Sequence, residues 1–99
     1  MITMIRVAVI APGKIGDALT FAHEISQYVK EKYGMTIEVL MPIGGNPSRI
    51  GWRIGYESMA QFESLMATFL ADADYQKMIA KNSATFLPGS IHDEIWRSI

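Results

Sequence analysis

Two stretches of helical periodicity, one on each side of a strand hairpin, constrain the fold of this chain more than any other feature. From residue 15 to residue 33 apolar side chains recur every three or four positions, and Gly34 follows, where a left-handed residue commonly ends a helix. Ser58 and Gln61 have the spacing of a capping box, which predicts a second helix. Its buried stripe would comprise Met59, Phe62, Leu65, Met66, Phe69 and Leu70. Either Asp72 or Asp74 is expected to cap a further short helix.

The segment between the helices has the two-residue periodicity of strands. Residues 35–43 and residues 49–56 alternate mainly apolar side chains with polar ones or glycine, and a Gly-Gly-Asn-Pro turn separates them. A symmetric turn centred between Gly45 and Asn46 places Glu38 opposite Arg53. This pairing of opposite charges supports the register, so the two segments are predicted to form a hairpin.

One further strand precedes the first helix and another follows the last. Residues 2–11 are mostly apolar, with Arg6 as the charged interruption, and a turn at Pro12 and Gly13 ends the run. Residues 91–97 alternate again. The resulting order, βαββαβ, predicts one α+β domain spanning residues 1–99. Its four-stranded antiparallel sheet would have the spatial order 4-1-3-2, with both helices on one face.

The second face of such a sheet has no helix to cover it. A bare sheet face must be either polar and hydrated or buried against a partner, and a second copy of the chain is the commonest partner. The apolar fraction of 49% is slightly high for a monomer of this size. The pattern therefore predicts a homodimer.

The alternation assigns each strand residue to one of the two faces. The helix-covered face is expected to include Ile5, Val7 and Val9 from the first strand, Trp52 and Tyr56 from the hairpin, and Ile91 and Ile95 from the last strand. The opposite, mixed face would collect Met4, Arg6, Ala8, Glu38, Leu40, Arg49, Gly51, Arg53, Gly55, His92, Glu94 and Trp96. Glycine inside a strand often marks a place where another group approaches the backbone closely.

Six residues of the mixed face have two open interpretations. They either organise a dimer interface or line a ligand pocket, and they are Arg6, Glu38, Arg53, His92, Glu94 and Trp96. His92 is the candidate catalytic acid or base because the pKa of histidine lies near neutrality, although an isolated strand histidine is more often structural. Trp96 could stack on a planar ligand or anchor the last strand at an interface.

Composition narrows the classes of function. The chain has no cysteine, which excludes disulfides and thiolate chemistry, and its two histidines lie on different elements, so no metal site is predicted. A formal net charge of -1 with scattered basic residues argues against nucleic acid and anionic membranes as partners. The glycine spacing is not that of a phosphate-binding loop, and no cofactor is expected. With no apolar leader or spanning segment recognised at the start of the sequence, a cytoplasmic location is the default expectation.

Several short phrases of the sequence resemble those of a known superfamily. The phrases are Ala11-Pro12-Gly13-Lys14, Gly45-Asn46-Pro47 before Arg49-Ile50-Gly51-Trp52, Asp72-Ala73-Asp74-Tyr75-Gln76, and Pro88-Gly89-Ser90 before His92-Asp93-Glu94. Together with the element order, they resemble the ferredoxin-like, dimeric α/β-barrel superfamily, which includes the NIPSNAP, EthD and antibiotic-biosynthesis monooxygenase families. The resemblance is greatest to NIPSNAP-like members.

The resemblance implies two sheets packed face to face, with a cavity inside the barrel or between sheet and helices. Some members hold a hydrophobic or aromatic ligand there. Oxygenase and haem-degrading members use an Asn, Trp and His set, whereas this first strand has no asparagine and Trp52 is expected to face the core. Three hypotheses follow. The first is a protein that binds a small, partly apolar or aromatic ligand. The second is a cofactor-independent monooxygenase or isomerase acting on an aromatic or enolisable substrate, with His92 as proton acceptor and Arg6 or Arg53 stabilising the anion, and the third is a non-catalytic dimerisation module.

Overall fold

The computed structural model describes all 99 residues, and its elements follow the predicted order. They are β1 (Ile2–Val9), α1 (Ile15–Tyr33), β2 (Ile37–Leu40), β3 (Arg49–Tyr56), α2 (Met59–Ala71), α3 (Ala73–Lys81) and β4 (His92–Arg97), with a short 3-10 turn at Ser83–Thr85. The strands form one antiparallel sheet in the order β2-β3-β1-β4. This confirms the predicted topology. None of the helices is both long and apolar enough to cross a membrane.

The predicted helix ends are confirmed by their local hydrogen bonds. Gly34 adopts a left-handed conformation with φ of 69°, and its N–H donates to the carbonyl of Lys30. At the start of α2, the N–H of Gln61 donates to Ser58 Oγ at 3.1 Å, and Gln61 Oε1 accepts from the N–H of Glu57 at 2.6 Å. These contacts satisfy backbone groups that a helix end would otherwise leave without partners.

The hairpin has the predicted register, with Glu38 opposite Arg53 and Val39 opposite Trp52. Strand β2 is shorter than predicted and ends at Leu40. Pro42, two residues further, has no N–H to donate to a neighbouring strand.

The face assignment of β1 was wrong by one residue. Ile2, Met4 and Ala8 are buried on the helix side, where Met4 is paired with Ile54 and Ala8 with Ile50. The predicted helix-side residues of β1 therefore lie on the bare face, and the predicted bare-face residues lie under the helices. Nearly every side chain of this strand is apolar, so the sequence does not show which alternate residues face the helices.

The core lies between the sheet and the helices in two clusters. Beneath α2, one cluster contains Ile2, Met4, Ile54 and Tyr56, with Phe62, Leu65 and Met66 packed against it. Beneath α1, the other contains Ile10, Ala18, Ala22 and Ile50, with Val39, Trp52 and Phe86 packed against it. Trp52 and Tyr56 thus face the helices as predicted. Of the predicted α2 stripe, Phe69 is buried, whereas Leu70 is 75% exposed.

Strand β4 forms the exposed edge of the sheet, and the helices leave it uncovered. All six of its residues are exposed on both faces, including Ile95 on the helix side and Trp96 on the bare side. The protomer exposes 6322 Å², whereas a compact monomer of this mass is expected to expose about 5,600 Å².

Candidate functional site

The bare face of the sheet has an apolar centre. Ile5, Val7 and Val9 of β1 lie in a row along it, with Leu40 of β2 on one side, and all four are half-buried in the isolated protomer. Gly51 lies between Val7 and Leu40, where a Cβ atom would contact the Leu40 side chain at 3.4 Å. A shallow depression of about 140 Å³ opens beside Gly51.

Five of the six predicted site residues flank this apolar centre in two separate groups. Arg53 Nη1 lies 3.2 Å from Glu38 Oε1 across the hairpin. On β4, Trp96 Nε1 donates to Glu94 Oε1 at 3.0 Å, and His92 Nε2 lies 3.5 Å from Glu94 Oε2. Arg53 and Glu94 neighbour Ile5 from opposite sides, so about two strand spacings, roughly 10 Å, separate the groups. All five side chains are exposed.

Arg6, the sixth predicted residue, lies on the other side of the sheet. Its Nε and Nη2 donate to the two carboxylate oxygens of Asp93 at 2.7 and 2.8 Å. Both side chains remain more than one-third exposed, at 39% and 36%. The hydrogen bonds from Arg6 lower the pKa of Asp93. Arg6 and His92 therefore occupy opposite faces of the sheet, so the prediction that both lie on the mixed face is wrong.

The helix side of the sheet also contains two buried polar atoms without hydrogen-bond partners. Trp52, which neighbours Arg6 in the β1–β3 register, buries its indole Nε1, and Tyr56 buries its hydroxyl. Burial raises the pKa of Tyr56 to about 12, and burial also raises the pKa of Tyr75 on α3. In the strand register Arg6 is paired with Trp52 on one side and with Asp93 on the other, and Tyr56 lies four residues along β3 from Trp52, on the same face. Trp52 belongs to the core cluster beneath α1 and Tyr56 to the one beneath α2. We call Arg6, Trp52, Tyr56, Tyr75 and Asp93, which lie where the two core clusters adjoin, the inner cluster.

Sequence reasoning did not identify the inner cluster as a site. Trp52 and Tyr56 had been assigned to the core as apolar residues, and Asp93 and Tyr75 had not been singled out. One signal was available: a buried tyrosine hydroxyl or tryptophan N–H requires a partner, and the helix side offered few polar residues to provide one.

Helix α3 borders the inner cluster and is loosely packed along its length. None of its residues is buried, whereas its N-terminal cap, Asp72, is only 7% exposed. Asp72 accepts hydrogen bonds from the N–H groups of Asp74 and Tyr75. The first turn of α3 is therefore fixed. On the helix side of β4, Ile95 is 49% exposed.

Asp72 also connects α3 to the end of α1. The hydroxyls of Tyr28 and Tyr33 donate to its carboxylate, and Lys32 Nζ lies 3.0 Å from Asp72 Oδ2. The hydrogen bond from Tyr33 contributes most to lowering the pKa of Asp72 below its ordinary value. Either Asp72 or Asp74 was expected to cap this helix, and Asp72 does so.

Comparison with known proteins identifies the fold. No family model matches the chain, and no curated protein matches it. An uncharacterised NIPSNAP domain protein from Burkholderia xenovorans superposes with a TM-score of 0.84 at 13% identity, covering 100% of this chain and 95% of that chain. A NIPSNAP family protein from Agrobacterium tumefaciens gives 0.78 at 20% identity, covering 99% and 85%. A candidate antibiotic biosynthesis monooxygenase from Nitrosomonas europaea gives 0.77 at 13% identity, covering 100% and 99%.

At these identities the similarity is one of fold. It confirms, at that level, the resemblance found in the sequence: the chain has a ferredoxin-like α+β fold, and the solved structures that share it include NIPSNAP family proteins and candidate antibiotic biosynthesis monooxygenases.

Proposed function

We propose that the chain forms a homodimer through the bare face of its sheet. An apolar centre with a polar rim is the usual anatomy of a protein interface, and Ile5, Val7 and Val9 form such a centre. A stable interface buries about 800 Å² per partner, and the protomer exposes about 700 Å² more than a compact monomer of its mass. In this dimer the Glu38–Arg53 pair belongs to the interface rim.

The three residues of β4 on the bare face are part of the same proposal. His92, Glu94 and Trp96 would lie at the opposite margin of the interface, where Trp96, 59% exposed in the protomer, becomes covered by the partner. His92 is then an interface residue hydrogen-bonded or ion-paired to Glu94 rather than a catalytic base.

We further propose that each protomer binds a small, partly apolar or aromatic organic ligand at the inner cluster. The observation that carries this proposal is the pair of buried, unpartnered polar atoms, Trp52 Nε1 and Tyr56 Oη. Buried polar groups are almost always hydrogen-bonded in native proteins, so atoms left without partners mark a place for a water or a ligand. The ligand would enter along the helix side of β4, which is exposed over its whole length, and Ile95 would provide an apolar wall there.

A cofactor-independent oxygenase or isomerase is the second candidate function. The guanidinium of Arg6, on the same face of the sheet as Trp52 and Tyr56, is a group that could stabilise a developing enolate or phenolate anion. Oxygen uptake with dihydroxynaphthalenes tests this activity. Turnover that survives Arg6→Gln would exclude the mechanism.

Binding of 2-naphthol, measured by titration calorimetry, tests the ligand proposal. We expect saturable binding that Trp52→Phe and Tyr56→Phe each weaken, because each removes one hydrogen-bonding group while keeping an aromatic ring. Trp96→Phe is the matched control on the opposite face and should bind as the wild type does. Equal weakening by Trp96→Phe and Trp52→Phe, or no binding by the wild type, would contradict the proposal.

A further inference from the structure

Hydrogen-bond donors outnumber acceptors in the inner cluster. The guanidinium of Arg6 and the indole of Trp52 can only donate, and the hydroxyls of Tyr56 and Tyr75 can donate as well. Asp93 is the single carboxylate in the cluster, and Arg6 holds both of its oxygens. A ligand that satisfies the remaining donors must therefore supply acceptor atoms.

We propose that the inner cluster binds an organic monocarboxylate with an apolar or aromatic body, and that Asp93 occupies Arg6 until the ligand carboxylate replaces it. This inference rests on the proposed ligand site and specifies its chemistry. Asp93 thus acts as an internal competitor for the ligand.

The geometry of the ion pair favours a carboxylate ligand. Arg6 donates through Nε and Nη2 to two oxygens of one planar group, the fork arrangement in which arginine recognises carboxylates. A ligand carboxylate in that position would reproduce both hydrogen bonds. The ligand carboxylate would also replace the negative charge that Asp93 contributes next to the Arg6 guanidinium.

Asp93 is well placed to move. It lies in β4, an edge strand that is paired only with β1 and is exposed along its whole length. Both side chains of the Arg6–Asp93 pair are more than one-third exposed, so water can solvate each of them when the pair separates. The Asp93 carboxylate can then point into solvent while the backbone of β4 stays paired.

The position of Ile95 accounts for the apolar part of the ligand. Ile95 is two residues from Asp93 and shares its face of β4, opposite the buried Met4. A carboxylate held by Arg6 would place the body of the ligand along this apolar strip, on the exposed helix side of β4. Burial of apolar surface there would add to the affinity that the carboxylate provides.

A pair of probes that differ in charge and are similar in shape tests the inference: 2-naphthoate and 2-naphthamide, titrated by calorimetry. We expect the wild type to prefer the carboxylate. Asp93→Asn should raise the affinity for 2-naphthoate by about fivefold, the upper effect of removing an exposed ion pair, and leave the affinity for 2-naphthamide nearly unchanged. Arg6→Lys, which retains the charge and loses the fork, should abolish most of the preference. Glu63→Gln, which removes an exposed carboxylate on α2, is the control and should match the wild type.

The outcomes separate the two proposals. If both probes bind equally and Asp93→Asn changes neither affinity, the inference on the carboxylate is overturned while the ligand site stands. If neither probe binds to the wild type or to Asp93→Asn, the ligand site itself is overturned. Circular dichroism of each variant confirms that a loss of binding does not reflect unfolding.

Discussion

Replacing Tyr56 with phenylalanine should stabilise the ligand-free protein. The substitution removes a buried hydroxyl without a partner and keeps the ring, which packs edge-on against Phe62 with centroids 5.1 Å apart. An unsatisfied buried polar group costs about 1–3 kcal/mol, so we expect the free energy of unfolding to rise by about 1 kcal/mol. For a domain of this size that change raises Tm by about 4–8 °C.

Urea unfolding monitored by circular dichroism measures this effect, at one protein concentration because a dimer's stability depends on it. Tyr33→Phe is the matched control. It removes a hydroxyl that donates to Asp72, so the control variant should be destabilised. The reasoning is refuted if Tyr56→Phe is destabilised as well, since its hydroxyl would then have a partner in the folded protein.

Ligand binding should respond in the opposite direction. Tyr56→Phe deletes a group that the ligand is proposed to engage, so the more stable variant should be the weaker binder. Such opposition between stability and activity is typical of residues retained for function.

Three further predictions concern the dimer and the helix ends. Val7→Lys places a charge at the centre of the bare face, so light scattering should show monomers instead of dimers. Glu38→Lys, at the rim of the same face, should have a smaller effect. The pKa of Asp72 is lower in the folded protein than in the unfolded chain, where it is about 3.9. The ionised carboxylate therefore stabilises the fold above that pH, and the contribution is lost as the pH falls towards the folded-state pKa. Asp72→Asn should flatten this decline of the unfolding free energy in acid. Gly34→Ala should cost about 1 kcal/mol in urea unfolding because its φ of 69° disfavours a side chain.

The sequence was sufficient to predict the element order, the sheet order and the hairpin register. These depend on local signals: the capping residues of Ser58 and Gln61, the left-handed Gly34, and the charge pair of Glu38 with Arg53. Each signal involves residues that are close along the chain or joined by one short turn.

The faces of β1 could not be predicted in the same way. Its apolar residues fit either face, and assigning Ile5, Val7 and Val9 to the helix side put Arg6 on the outer one. The structure places Arg6 on the helix side, where Asp93 of the exposed edge strand β4 accepts its hydrogen bonds. That pairing joins residues from the two ends of the chain, and sequence spacing alone does not reveal it.

The central claim is that the two faces of the sheet have different tasks: the helix side binds the ligand and the bare side binds a second copy. The chain has two tryptophans, one on each face, so fluorine NMR of 5-fluorotryptophan-labelled protein reports on both tasks at once. The account predicts that 2-naphthoate shifts the Trp52 resonance and leaves that of Trp96 in place, while dilution to monomers shifts Trp96 and leaves Trp52. A ligand-induced shift confined to Trp96 would contradict it.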